Sequence, residues 1–423
     1  MLLCVLCLAQ APAQAGEVHA FDGNRVKGCQ LDGKAYTCGN LPSTASDDSM
    51  VIADGFSVHI RSSVSPGWDY GVSMSGSARL TSGGSINLNG INPAKISISG
   101  GSFDAAGEFT LTRPIRVTAN VTAGSMTLGG EAGFQITGNM VSKGAVSIGS
   151  SGIVNGSVSG AQVTTNSSVK ISGSVTSTGK VSIGSSSTVG ADVTGTSITT
   201  DASVTITGTV KASDVLTVGS HSTIRGPISG TNSITLNSPS TIVGTVSSKG
   251  PITIGSHANI DGAISGTVVT TGSPVTLKGD IVATSRFTLA SGSTVNGNIT
   301  SPEIEMYAAS SIVTGKVMAS KYLTMGHAVR INGGVGTGQL KLEASEALNN
   351  GNAAVDYATL YWHGRVREKI FCKKGTRPGY CDCVDNQSDY PVNTANGPRC
   401  ESPKPVTGTF SHFLIEHDGN DVA

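Results

Sequence analysis

Cysteine is missing from a long stretch of this chain. All eight cysteines lie outside residues 39–371: Cys4, Cys7, Cys29, Cys38, Cys372, Cys381, Cys383 and Cys400. Charge is scarce too, at 13% of 423 residues, with 28 basic residues balancing 28 acidic ones. A nucleic-acid binder needs a basic face for the phosphates, and this balance leaves none to expect. Aromatic residues make up only 4%, so platforms for stacking bases are few. The apolar run Leu2 to Leu8 is too short to cross a bilayer as a helix. No transmembrane segment is therefore expected in the mature chain. No G-x-x-x-x-G-K-[ST] phosphate loop occurs. Glycine is abundant, at 56 residues, but without the strict Gly-X-Y period of collagen.

What is present begins with the ends. The opening "MLLCVLCLAQAPAQA" joins its apolar run to Ala13-Gln14-Ala15, the small-x-small pattern of a signal peptidase site. Residues 1–15 thus read as a signal peptide. No Lys or Arg precedes the run, so either the signal is unusual or the true start lies upstream of Met1, and the second is the favoured expectation. Export would leave six cysteines in an oxidising compartment. Cys29 and Cys38 then form a small disulfide loop, while Cys372, Cys381, Cys383 and Cys400 allow three pairings. A zinc site from the last four competes with this, but their "CDC" spacing suits the usual ligand pairs poorly.

Between the ends runs a repeat. The unit apolar-x-Gly-x-apolar recurs as "IRGPI", "IVGTV", "IDGAI", "LKGDI", "VNGNI", "VTGKV" and "INGGV". Its central glycines are Gly226, Gly244, Gly262, Gly279, Gly297, Gly315 and Gly333, with Gly208 one period earlier. Their spacing is almost constant. Each period holds a second alternation, such as "LTV", "ITL", "ITI" or "FTL". These are too short for helices and fit half-buried strands. A period near 18 with two or three short strands is one coil of a parallel β-helix, expected to be right-handed by analogy with parallel crossovers. Around fifteen coils stacked at ~4.8 Å would make a rod. Glycine suits the corners because it reaches φ > 0 and lets backbones approach. The expected organisation is a lead-in containing a disulfide at 16–59, repeats at 60–337 and a Cys-rich module at 338–423. "GQLKLEASEALNN", at 338–350, breaks the pattern and is expected to form a short helix.

A search of the coils for chemistry finds little. Glycoside hydrolysis needs two carboxylates ~5–9.5 Å apart. Asp261 faces Lys278 one coil on, Asp280 has no acidic neighbour in its column, and Asp192 stands five coils away. His221 and His257 fall two coils apart, too far to share a zinc ion, and read with His327 as exposed turn residues. No catalytic residue, metal site or cofactor is expected. The most regular outward feature is a hydroxyl ladder: Ser147, Thr164, Ser182, Thr199, Thr217, Thr235, Thr253, Thr270 and Thr288, interrupted by Glu305 and resumed at Thr324. It could present a flat face to a partner, although ordinary strand propensity also explains it.

The "IxGxI" period of residues 136–335 resembles the polymer-forming domain of the bactofilins. That resemblance implies a β-helix associating end to end into cytoskeletal filaments. The export signal and the cysteine groups depart from that family. A second resemblance covers the ends: "YTCGNLPSTASDDSMVIADGFSVHI" and "FSHFLIEHDGNDVA" look like parts of MshQ-type proteins, encoded with mannose-sensitive haemagglutinin pili. The chain stops where their downstream domain would begin, which reads as either a truncated version, the favoured expectation, or a shorter relative. The leading expectation is a secreted or cell-surface, adhesin-like structural rod with a surface, pilus or glycan partner. The alternative is a self-assembling bactofilin-like scaffold, and a carbohydrate-active β-helix enzyme stands third.

Overall fold

A computed structural model describes residues 16–337, apart from 46, 130–132, 308–309 and 327–328. Beyond 337 it describes the backbone of further strands, the last being Phe413–Leu414. The segment 1–15 and His327 lie outside the described residues. The chain forms two compact units, Met1–Gly173 and Ser174–Ala423. Each is a parallel β-solenoid, and the described residues contain strands and turns without a helix.

One coil of the second unit shows why these residues wind. Asn259–Asp261 forms the first leg, and Ile264–Thr271 forms the second and third, with a register irregularity after Gly266. Alternation sends Ile260, Ile264 and Val269 inward, each no more than 1% exposed. Thr276–Lys278 then starts the next coil directly above, pairing residue for residue with Asn259–Asp261. Inward positions therefore stack like on like. Ile242, Ile260, Leu277 and Val295 make one column, and Val246, Ile264, Ile281 and Ile299 make another. No coil can bury its own apolar residues, but each lends its neighbours a wall. Every such side chain contributes about 1.5–3 kcal/mol when buried, and β-branched Ile and Val suit the pleat.

The three corners have different physical causes. At the first, the central glycine of the repeat sits against the backbone of the preceding coil. A Cβ on Gly262 would lie 2.2 Å from the Gly244 carbonyl oxygen, and one on Gly297 2.2 Å from that of Gly279. Close approach between coils is the reason for this glycine. The second corner is a bend with small inward residues: Gly195, Ala212, Gly230 and Ser248 pair in succession, as do Gly266 with Ala283 and Ser301 with Ala319. The third is a turn whose tip takes a left-handed backbone at Ser186, Ser203, His221, His257 and Ser310, with φ between 57° and 61°. Beneath it, buried serines bind the backbone. Ser222 Oγ accepts from the Val204 N–H at 3.1 Å, and Ser293 Oγ accepts from the Val275 N–H at 3.2 Å.

The first unit opens with longer coils. Strands β1 (Val18–Phe21), β2 (Cys29–Asp32), β3 (Ala35–Cys38), β4 (Ser49–Ile52), β5 (Ser57–Ile60), β6 (Tyr70–Met74) and β7 (Arg79–Ser82) come first. Ser57 pairs with Arg79 and Arg79 with Ser102, whereas Ser102 pairs with Asn120, a distinctly shorter advance along the chain. The extra length of the early coils supplies a separate sheet ordered β1, β4, β6 and Ile91–Ile98. Winding is already under way in residues 18–60, because β1 pairs in parallel with β4. The exception is a hairpin: β2 runs antiparallel to β3, closed by the disulfide Cys29–Cys38 with a Cα–Cα distance of 4.1 Å. The hairpin covers the β3 edge, which would otherwise be open to another strand. Phe21 meets Tyr36 edge to face at 4.9 Å. The Tyr36 hydroxyl accepts from the Gly23 N–H at 2.8 Å and donates to the Asn24 carbonyl at 2.7 Å.

The helix expected over 338–350 is replaced by strands Val335–Glu343 and Leu348–Asn349. Leu340 and Leu342 stand opposite Leu323 and Met325, so the "QLKLE" alternation continues two columns of the stack. The last parallel strand, Ala353–Trp362, takes Arg365–Ile370 and Gly408–Phe410 as antiparallel neighbours. Cys372 lies opposite Cys383 in an antiparallel pair. The side chains of Cys372, Cys381 and Cys383, and all of Cys400, lie outside the described residues.

Replacing Gly262 by Val should lower stability by about 2 kcal/mol or more, because a coil must shift to admit the side chain. A Cβ on Gly39 meets nothing within 4 Å, so Gly39→Ala should stay within about 0.5 kcal/mol of wild type. Urea denaturation followed by circular dichroism checks both, and equal midpoints for all three proteins would refute the close-approach account.

Candidate functional site

The outward surfaces are the place to look, since the interior is filled with stacked apolar residues. In the second unit Ser182, Thr199, Thr217, Thr235, Thr253, Thr270 and Thr288 stand in unbroken parallel register, followed by Glu305 and Thr324. Each of the five from Thr217 to Thr288 lies between two buried residues, Leu216 and Val218 around Thr217 for example. Their side chains therefore face outward. Thr324 differs, being only 7% exposed. In the first unit Thr127, Ser147 and Thr164 make the equivalent column.

The acidic residues of the coils are engaged in holding neighbouring coils. Asp280 Oδ1 accepts from the Asn298 N–H at 2.8 Å, and Asn298 Oδ1 from the Lys316 N–H at 2.9 Å. Asp192 Oδ1 likewise accepts from the Thr209 N–H at 2.7 Å. Carboxylates and amides just after the corner glycine thus satisfy N–H groups on the following coil. Asp261 and Lys278 make an exposed ion pair at 3.9 Å, of a kind that stabilises by about 0–1 kcal/mol. His221 and His257 are exposed at left-handed turn tips. Among the described residues no group of three or more His, Cys, Asp or Glu is placed to hold a metal ion.

Column-by-column reading missed two charged clusters. On the second unit Glu303 accepts from the Arg286 guanidinium at 3.1 and 3.2 Å, from Lys321 Nζ at 3.3 Å and from the Tyr322 hydroxyl at 3.2 Å. Glu305, two residues on, lies within hydrogen-bonding reach of the same Tyr322 hydroxyl at 3.3 Å and accepts from Tyr307 at 2.6 Å. Arg286, then Lys321, hold the Glu303 carboxyl below its usual range against the effect of desolvation. On the first unit Lys95 Nζ sits 2.7 Å from Asp47 and 2.9 Å from Asp69. Its hydrogen bond, then one from Asn92, holds Asp69 down at about 2. Charge alternation on adjacent coils was the available signal. It is hard to read when strands are bulged, as between Val282 and Arg286.

Residues 216–313 match the family model of the bactofilins, described as polymer-forming cytoskeletal. The second unit thus carries bactofilin-like repeats. No curated protein and no solved structure matches the chain. No helix of the described residues is long and apolar enough to cross a membrane.

Asp280→Ala removes an acceptor from a backbone N–H and should cost about 1–2 kcal/mol. Asp261→Ala should cost under about 1 kcal/mol, and urea midpoints distinguish the two. Lys95→Met should raise the Asp69 pKa from about 2 toward its ordinary 3.8, as read by NMR titration. Because the folded pKa is depressed, this carboxylate's stabilisation is complete above 3.8 and is lost as pH falls through about 2. The variant should lose the part of that acid-sensitive contribution that Lys95 supplies, with the Asn92 hydrogen bond retaining the rest.

Proposed function

We propose that this protein is a structural scaffold that self-associates into polymers. The observation carrying the reading is the match of residues 216–313 to a polymer-forming cytoskeletal family, on coils whose inward and outward positions both serve stacking. A catalytic reading finds less support. A glycosidase acid needs a raised pKa, whereas Glu303 is held in its ionised form by Arg286 and Lys321. Association through the first unit would bypass the hairpin edge of β2 and use the outer edge of β1, whose one strand partner among the described residues is β4 and where Val18 is 61% exposed.

A second reading, a secreted or cell-surface adhesin-like protein associated with a pilus, is favoured by one specific observation. The Cys29–Cys38 disulfide suits an oxidising compartment better than a reducing one. The segment 1–15, read as an export signal, agrees with it.

Sedimentation velocity across a concentration series, with negative-stain electron microscopy, separates the readings. A scaffold should give filaments and a sedimentation coefficient that rises with concentration. A monomer at every concentration, without filaments, would overturn the scaffold and leave the exported structural protein.

A further inference from the structure

The first unit has an open groove of about 610 Å³ across the outer face of β3, β5, β7 and the strands Ser102–Leu111 and Asn120–Leu128. Its lining includes the small residues Ser82, Ala105, Ala106 and Ala123, of which Ser82, Ala105 and Ala123 are buried. The wall is a column in which Thr37, His59, Thr81, Asp104 and Thr122 pair in succession. Ser57 and Arg79 stand in the adjoining column, and Lys143 also lines the groove.

The polar groups are organised. Arg79 binds Asp104 at 2.6 Å with its side chain still half exposed, and His59 Nδ1 lies 2.8 Å from Thr81 Oγ1. Among the described residues of the lining Asp104 is the only carboxylate, set against the two cations Arg79 and Lys143. With Arg79 paired to Asp104, Lys143 leaves the lining one net positive charge beside the hydroxyls of Thr37, Thr81 and Thr122.

We propose that this groove binds an extended acidic polysaccharide. Neighbouring coils repeat every ~4.8 Å, close to the length of one pyranose unit in an extended chain. A glycan lying along the stacking direction therefore meets one member of the column, Thr37, His59, Thr81, Asp104 or Thr122, at each successive sugar. Ser57 and Thr122 exchange hydrogen bonds with sugar hydroxyls, while Lys143 and the Arg79 N–H groups not given to Asp104 receive carboxylates. Uncharged sugar polymers lack the group that the two cations recognise. The proposal rests on the first unit alone and is independent of polymer formation.

Isothermal titration of the full chain with polygalacturonate, and with dextran as the neutral polymer, tests it. Saturable binding of polygalacturonate is expected, with none for dextran. Lys143→Gln should weaken binding about tenfold, the effect of losing one charge-assisted hydrogen bond. Lys278→Gln, on the second unit, should leave binding unchanged. Circular dichroism of both variants verifies that they are folded. Absence of binding, equal binding of dextran, or equal weakening by Lys278→Gln would each overturn the proposal.

Discussion

Everything in this molecule depends on stacking one coil on the next at the spacing of a parallel β-ladder. Hydrogen bonds between coils set that spacing at ~4.8 Å, so each position must tolerate its own equivalent above and below. Inside, this produces columns such as Ile242, Ile260, Leu277 and Val295. At the corners it excludes a side chain from Gly262, where the Gly244 carbonyl occupies the space. Buried polar groups obey the same rule, since Ser222 and Ser293 satisfy N–H groups one coil away.

The constraint also governs what the surface can do. Asp280, Asn298 and Asp192 face solvent, yet each accepts from a backbone N–H of the following coil. Residues that would be catalytic candidates elsewhere are here part of the ladder. A partner is left with what repeats: hydroxyls from Thr217 to Thr288, exposed strand edges, and faces where the chain bends. The proposed association between copies of the solenoid and the proposed binding of an extended chain both rest on this repetition.

Much of the fold could be read from spacing alone. The even succession of Gly226, Gly244, Gly262, Gly279 and Gly297 announces the coil, and the Thr column follows once that period is known. Cys29 and Cys38 were legible as a local loop because they lie so close along the chain. The segment "QLKLEASEALNN" misled because its composition favours a helix locally. Leu340 and Leu342 instead complete columns begun by Leu323 and Met325, and a ready-made stack outweighs weak intrinsic propensity.

The groove residues were not legible, for a geometric reason. The steps from Thr37 to His59, Thr81 and Asp104 are all longer than the step from Asp104 to Thr122. No single period aligns them, because the early coils carry an additional sheet. The Glu303 cluster was hidden similarly, by bulges that change the register within a leg. The sequence by itself determined the solenoid, since a β-coil is specified by local alternation and regular corners. Where coil lengths vary or strands bulge, only the tertiary structure decided which polar groups meet. Charged side chains carry no periodic signature of their own, and the length of each intervening coil sets their neighbours.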